Sequence, residues 1–262
     1  MILPPEIHLL YSLSGFGVGF LVGMTGVGGG ALMTPLLILL FGVHPATAVG
    51  TDLLYAAATK AGGTLVHSFH RTIDWRVVGR LAAGSVPMTA LTLFLLARLK
   101  VDPEAARAVV TTVLSGALFV TAVALILRRK VVKFFAERFG EFDPKRQALF
   151  TILTGAILGV LVSLSSVGAG AIGVTALVVL YPKLPTVAIV GSDIAHAVPL
   201  TLVAGIGHWL IGSIDGPLLA SLLLGSLPGI FIGSYASGLV PDAVLRPILA
   251  VTLIVVGSKL IF

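Results

Sequence analysis

Long apolar stretches alternate with short turn-forming segments along the whole chain. The stretches cover residues 8–41, 45–68, 77–98, 105–128, 148–181, 185–212, 217–238 and 243–262. Each is long enough for a transmembrane helix, which needs about 20 mostly apolar residues. Because the apolar runs are continuous and do not alternate residue by residue, an outer-membrane β-barrel is excluded. The pattern predicts an all-α polytopic membrane protein.

The same motifs recur in both halves of the chain at a nearly constant separation. VGGGA begins at residue 27 and VGAGA at residue 167, which is 140 residues later. Three further pairs lie 141 residues apart: GTDL and GSDI from residues 50 and 191, His67 and His208, and GSVP and GSLP from residues 84 and 225. Such a series indicates a duplicated unit of four apolar segments. We predict a first membrane repeat at 8–128, a basic cytoplasmic linker at 129–147 and a second membrane repeat at 148–262.

Glycine and hydroxyl residues interrupt the first stretch of each repeat. Residues 23–30 read GMTGVGGG and residues 163–170 read SLSSVGAG. Irregular backbone at membrane depth persists only where protein or a water-filled cavity covers it. Paired interruptions in two halves therefore indicate a transporter binding site. Close helix packing through small residues is the alternative interpretation.

These first stretches, 8–41 and 148–181, exceed one span and fall short of two. A broken helix that crosses once would give parallel repeats, whereas a re-entrant hairpin would give inverted repeats. Both arrangements place the basic segments 71–80 and 128–146 together in the cytoplasm, so charge discriminates weakly. We favour inverted repeats, and the parallel alternative stays open.

Composition agrees with a bilayer location. The chain is 57% hydrophobic and 11% charged, and its mean hydropathy is +1.09. Soluble domains carry about 25% charged residues. The net charge is +6, but seven of the 17 basic residues fall between Arg128 and Arg146. Membrane orientation explains that cluster better than a nucleic-acid partner does. The absence of cysteine excludes disulfides and cysteine-held metals.

The interruptions supply candidate donors for an anion. Free N–H groups at the start of the helix after each break lie at the positive end of its dipole. Thr34 and Thr175 lie one or two turns later and are candidates to line the same cavity. The candidate donors at the breaks themselves are Thr25, Gly28, Gly29, Gly30, Ser165, Ser166, Gly168 and Gly170.

Four ionisable residues lie inside apolar stretches, where each costs a few kcal/mol unless it is paired or hydrated. Asp52 and Asp193 occupy equivalent positions, so a coupling role and a structural capping role both stay open. Lys60 has no charged counterpart, because Thr201 stands there, which favours a substrate or proton role over an ion pair. His196 follows Asp193 by three residues, so the pair is either a proton relay or a hydrogen-bonded structural element. His67 and His208 are predicted to be interfacial anchors. No metal site, catalytic set or cofactor is predicted.

These motifs resemble the TauE/SafE sulfite-exporter family, also called the 4-toluene sulfonate uptake permease family. The resemblance rests on GFLVGMTGVGGGALMTPLLILLFGVHPATAVGTDLL and HSFHRTIDWR in the first half, and on VGAGAIGVTALVVLY, VGSDIAHAVPLTLVAGIGHW and GSLPGIFIGS in the second. It implies a bacterial-type plasma-membrane transporter of sulfite, sulfonates or related organosulfur anions. It also marks Gly26, Gly50-Thr51 and Gly191-Ser192 beside the glycines already named. Many members carry a polar uncharged residue near Lys60, and a fixed positive charge there favours a more highly charged anion or a different coupling ion.

We therefore expect a secondary transporter that works by alternating access, with its anion site at the paired breaks between the repeats. The expected substrate-binding residues include Thr51, Lys60 and Ser192, while Asp52, Asp193 and His196 have coupling or structural roles. The expected partners are a small anion, protons or another coupling ion, and the lipid bilayer, without nucleic acid. An anion channel of the same architecture and a transporter of a non-sulfur anion are the alternatives. Transport direction and oligomeric state stay open.

Overall fold

The protein is described by a computed structural model that covers residues 8–25, 30–98, 103–139, 142–236 and 242–261. These residues form ten α-helices and, within the described ranges, no strand. The helices are α1 (Leu9–Thr25), α2 (Gly30–Leu39), α3 (Pro45–Phe69), α4 (Trp75–Arg98), α5 (Pro103–Phe139), α6 (Pro144–Ser165), α7 (Ala171–Leu180), α8 (Thr186–Leu210), α9 (Gly216–Ala236) and α10 (Asp242–Ile261).

Several helices have the length and composition of membrane spans. Within the described residues, five segments qualify: Trp75–Arg98, Ala108–Arg128, Pro144–Ser165, Thr186–Leu210 and Gly216–Gly233. A helix of 20 residues rises 30 Å, the thickness of the hydrocarbon core. The all-α prediction is therefore confirmed for the described residues, and their helices are consistent with a multi-pass membrane protein.

The second predicted interruption separates two helices. Helix α6 ends at Ser165, and α7 begins at Ala171. Between them Ser166 has φ 58°, and Gly168 and Gly170 have φ 126° and 125°, values that glycine adopts without strain. In the first half, α1 ends at Thr25 and α2 begins at Gly30. Gly26, Gly28 and Gly29 lie outside the described residues.

Each interrupted stretch folds back on itself as a helical hairpin. At the start of α6, the Gln147 side-chain amide donates a 2.7 Å hydrogen bond to the carbonyl of Leu180, the last residue of α7. The Thr151 and Tyr181 hydroxyls are 2.9 Å apart at the same end. In the first hairpin, the ring centroid of Tyr11 in α1 lies 4.7 Å from that of Phe41, just after α2. The geometry therefore corresponds to the hairpin alternative.

In two pairs of helices, glycine residues allow the two backbones to come into direct contact. A Cβ atom added to Gly225 of α9 would lie 1.7 Å from the Ser12 carbonyl of α1, and one on Gly233 would lie 2.1 Å from that of Phe20. In the same way Gly155 of α6 approaches the Leu81 carbonyl of α4, where an added Cβ would lie 2.1 Å away. Small residues permit such close approach of membrane helices. Further along the second pair, Gly159 approaches the Ser85 carbonyl. In both pairs, a residue later in one helix contacts a residue later in the other. Helix α1 therefore runs parallel to α9, and α4 runs parallel to α6.

Helices α3 and α8 cross at the centre of the bundle in opposite directions. Gly50, near the start of α3, contacts Ser213 just beyond the end of α8, and an added Cβ would lie 2.2 Å from its carbonyl. Gly63, late in α3, lies beside Ile194, early in α8. Because short turns join α3 to α4 and α8 to α9, α3 and α9 share one direction while α4 and α8 share the other.

The segment predicted as the linker, 129–147, is largely helical. Helix α5 continues through it to Phe139, and α6 begins at Pro144. The Asp143 carboxylate caps α6 by accepting a 3.1 Å hydrogen bond from the backbone N–H of Lys145. The boundaries of the two repeats stay a prediction.

Candidate functional site

Asp52 is fully buried and connects three elements of the bundle. Its Oδ2 atom accepts a 2.5 Å hydrogen bond from the Thr34 hydroxyl of α2. The hydroxyl of Ser166, in the α6–α7 break, lies next to the same carboxylate. Among the described residues, Asp52 Oδ1 and Ser166 Oγ have no hydrogen-bond partner. Asp52 therefore links α3 to α2 through a hydrogen bond and lies beside the break of the second hairpin. Its Oδ1 atom is available to accept a further hydrogen bond.

Lys60 lies two turns beyond Asp52 on α3, about 12 Å further along the helix axis. Its side chain is 6% exposed. It interacts electrostatically with Asp193 of α8 most strongly and with Asp52 second. One buried ammonium thus lies within electrostatic range of two buried carboxylates, one on each of the two central, crossing helices.

Asp193 packs directly against the backbone of α7. A Cβ atom added to Gly173 would lie 2.1 Å from Asp193 Oδ1, so only glycine leaves room for the carboxylate there. One turn later on α8, His196 is fully buried, and its Nε2 atom lies 2.9 Å from the Ser85 hydroxyl of α4. Within the described part of the chain, Asp193 Oδ1 and His196 Nδ1 have no hydrogen-bond partner.

The α6–α7 break places the start of α7 near this cluster, because Gly173 in its first turn contacts Asp193. The Ser165 hydroxyl donates to the Leu161 carbonyl at 2.6 Å and accepts from the Val167 N–H at 3.2 Å, so it is occupied locally. The N-cap of α7 is Gly170, which offers no side-chain cap. The first N–H groups of a helix have no partner within it, and they carry the positive end of its dipole. This arrangement suits a bound anion.

Comparisons with known proteins identify the family of the chain. Residues 11–260 match the family described as Sulfite exporter TauE/SafE. The chain belongs to that family. It is 39% identical over 250 residues to the probable membrane transporter protein YjnA of Bacillus subtilis, covering 95% of this chain and 98% of that protein. It is 28% identical to YdhB of the same organism, another probable membrane transporter, over 97% of this chain and all of the relative. No solved structure matches the chain.

Membership of the TauE/SafE family makes the chain a membrane transporter. The names of the family and of these relatives describe transporters rather than enzymes. Together with the apolar helices, they establish a multi-pass membrane location.

Thr51 and Ser192, which match motifs of the TauE/SafE family, accept hydrogen bonds from backbone amides. The Thr51 hydroxyl accepts a 3.2 Å hydrogen bond from the N–H of Asp215, before α9. The Ser192 hydroxyl accepts a 2.9 Å bond from the N–H of Asp74, before α4. Both hydroxyls thus hold the turns that precede α4 and α9. Whether either also contacts substrate stays a prediction.

The prediction that His208 anchors the chain at the membrane interface is wrong, because its side chain is buried within the helix bundle. It is 2% exposed, and its Nε2 atom lies 2.8 Å from the Ser163 carbonyl of α6. Its partner in the repeat pattern, His67, is half-buried, and its Nδ1 atom lies 2.8 Å from the Thr72 hydroxyl. His208 therefore connects α8 to the helix that leads into the second break.

Sequence reasoning missed three polar residues around the cluster. Tyr55 is 1% exposed, lies beside Ser226 of α9 and interacts electrostatically with Asp52. Ser85 contacts His196. Ser85 and Ser226 occupy the same position in the repeated GSVP and GSLP motifs, and Tyr55 shares a helix face with Asp52. The repeated motif and the shared helix face indicate that these residues are polar and equivalent, but they do not indicate which helix each residue contacts.

Proposed function

We propose that this TauE/SafE member is a secondary transporter of sulfite, a sulfonate or a related organosulfur anion in a bacterial-type inner membrane. The observation that carries the proposal is the burial of Lys60 within electrostatic range of two buried carboxylates, on the crossing helices α3 and α8. The name of the family supplies the substrate class, sulfite. The Lys60 charge and the uncapped start of α7 supply a reason for selecting an anion.

The proposed site uses charge and hydrogen-bond donors together. Lys60 provides the charge, the Ser166 hydroxyl provides a side-chain donor, and the N–H groups from Gly168 onwards provide backbone donors. Sulfite and sulfonate groups present several oxygens to such a set, as phosphate does at helix N-termini. In the first hairpin, Thr25, Gly26, Gly28, Gly29 and Gly30 are proposed to play the equivalent part.

The charges of the cluster favour proton coupling. Two ionised carboxylates and one ammonium carry a net charge of −1, and an incoming anion increases it. Uncompensated charge is costly in a buried, low-dielectric site. A proton on Asp52 or Asp193 would offset the charge of the substrate. His196 lies one turn from Asp193 and is proposed to exchange a proton with it. We therefore propose that a proton accompanies the anion.

Two inverted repeats, 8–128 and 148–262, are proposed to provide alternating access. The helix directions support this proposal, because α1, α3 and α4 each run opposite to their counterparts α6, α8 and α9. In such transporters the repeats rock against each other around a site near the midplane. The two aspartates occupy equivalent positions of the repeats, whereas the position equivalent to Lys60 holds the uncharged Thr201.

A thermal-shift screen of the purified protein tests the substrate class. A ligand of the native state raises apparent stability by RT ln(1 + [L]/Kd), which is about 2.7 kcal/mol at 100 times Kd. We expect sulfite or a sulfonate to stabilise the wild type and to lose that effect in Lys60→Gln. Stabilisation by carboxylates alone would favour the non-sulfur alternative. Single-channel currents in a planar bilayer would instead support the anion channel.

A further inference from the structure

A separate apolar groove lies on the outer side of α5, α6 and α7, away from the Asp52–Lys60 cluster. Its volume is about 550 Å³. Its walls include Val120 of α5, Leu153 and Ile157 of α6, and Ile172 of α7. Leu153 and Ile157 are 47% and 59% exposed, so this surface is open to the bilayer.

The interior of the groove offers no free polar group. Among its described lining residues, only Thr154 and Thr175 carry a hydroxyl. The Thr154 hydroxyl donates to the Phe150 carbonyl at 2.8 Å, and the Thr175 hydroxyl to the Ala171 carbonyl at 2.7 Å. Because both donors are satisfied within their own helices, the interior suits a hydrocarbon chain and not a polar solute.

The groove runs from the depth of the acyl chains to the membrane surface. Val120 lies inside the apolar span Ala108–Arg128, whereas Val131 and Phe135 line the groove beyond the end of that span. The rings of Phe142 and Phe150, with centroids 5.5 Å apart, line the same outer end. Aromatic side chains are common at this level of a bilayer.

Three exposed basic residues lie close in the chain to residues that line that outer end. Lys130 precedes the lining residue Val131, and Arg146 lies one turn before the lining residue Phe150; both are exposed, as is Lys145. Lys145 and Arg146 occupy the first turn of α6, where the helix dipole disfavours cations. An anion bound at this position would offset that repulsion.

We propose that this groove binds an anionic phospholipid. Its acyl chains lie along α5, α6 and α7, and its phosphate contacts Lys130, Lys145 and Arg146. Basic pockets between transmembrane helices on the cytoplasmic side bind anionic lipid headgroups in this way. The site is separate from the transport site, so it stands whatever the transported substrate is.

Native mass spectrometry of the detergent-purified protein tests the headgroup contact. Phosphatidylglycerol and phosphatidylcholine with identical acyl chains are added in turn, and the retained lipid is compared. We expect a preference for phosphatidylglycerol of up to about fivefold for each basic contact, hence up to about a hundredfold for the three together. The variant Lys145→Gln/Arg146→Gln should lose most of that preference and keep only the part that Lys130 supplies, about fivefold. Lys259→Gln, at the opposite end of the bundle beside Glu104, should keep it. Equal retention of both lipids by the wild type, or an unchanged preference in the double variant, would overturn the proposal.

A second pair of variants tests whether the acyl chains occupy the groove. Ile157→Trp fills the groove at an exposed position, so the fold should tolerate it, and retention of phosphatidylglycerol should fall. Ile248→Trp places the same side chain at a similarly exposed position of α10, 57% against 59%, and should leave retention unchanged. Undiminished retention by a folded Ile157→Trp protein, judged by its thermal melt, would overturn the assignment of the chains to this groove.

Discussion

The Thr34 hydroxyl donates a 2.5 Å hydrogen bond to Oδ2 of Asp52, and both side chains are fully buried. The bond connects the returning arm of the first hairpin to the central helix α3. Since the Ser166 hydroxyl of the second hairpin faces the same carboxylate, Asp52 is positioned to respond to movement of either hairpin.

Thr34→Val should destabilise the protein by about 1–3 kcal/mol, because it leaves a buried carboxylate oxygen without its partner. The matched control is Thr175→Val in α7, whose hydroxyl donates to the Ala171 carbonyl of its own helix. That change should cost about 1 kcal/mol or less. Thermal unfolding in one detergent compares the two variants, and equal losses would contradict the role assigned to the Thr34 bond.

Gly173→Ala should lower stability and disturb the Asp193 carboxylate, because the added methyl group would lie 2.1 Å from Oδ1. Gly116→Ala is the control, since no atom lies within 4 Å of its added Cβ and the residue is exposed in the middle of α5. By helix propensity the control should be neutral or gain up to about 1 kcal/mol. Melting temperatures of both variants are compared with the wild type. A Gly173→Ala protein as stable as the control would show that Asp193 moves freely from α7.

Ser192→Ala should reduce stability by about 1 kcal/mol without a specific loss of sulfite binding. Its hydroxyl accepts the backbone N–H of Asp74, and removing it leaves that donor unpaired. Thr51→Val should act alike through Asp215. Both variants are compared in unfolding curves and in sulfite-induced stabilisation. A normal melting temperature with no sulfite response would instead make these hydroxyls direct ligands of the substrate.

Asp193→Asn should abolish accumulation of sulfite driven by a pH gradient while preserving sulfite exchange across proteoliposomes. The amide no longer carries the proton that we propose moves with the anion, yet it keeps the shape of the side chain. Asp143→Asn changes a carboxylate at the N-cap of α6, outside the buried cluster, and should retain full coupling. If Asp193→Asn keeps pH-driven accumulation, the coupling proton is carried elsewhere.

Much of the fold follows from local sequence properties. Continuous apolar runs predicted the helices, and the SLSSVGAG segment predicted the break, because glycine tolerates the left-handed conformations at Gly168 and Gly170. The return of each hairpin was harder to predict, since span length and loop charge fit two topologies. It depends on contacts such as Gln147 with Leu180 that are remote in sequence.

The buried ionisable residues of the candidate site and the hydroxyls near the second break were predictable from the sequence, whereas the polar residues that other helices contribute were not. Buried charge is rare in membranes, so Asp52, Lys60 and Asp193 stood out by type alone. Ser85 is an ordinary small polar residue until His196 of another helix is placed beside it. His208 was misassigned because its position near a helix end indicated an interface, whereas α6 covers it in the fold.

Sulfite uptake into proteoliposomes under an imposed pH gradient tests the central claim most directly. If a proton accompanies the anion, the wild type should accumulate sulfite in the alkaline compartment beyond its external concentration, with a rate that saturates. Lys60→Gln and protein-free liposomes should show no accumulation above passive leak. Saturable accumulation that Lys60→Gln retains in full, or wild-type flux that only equilibrates sulfite regardless of the pH gradient, would contradict the account.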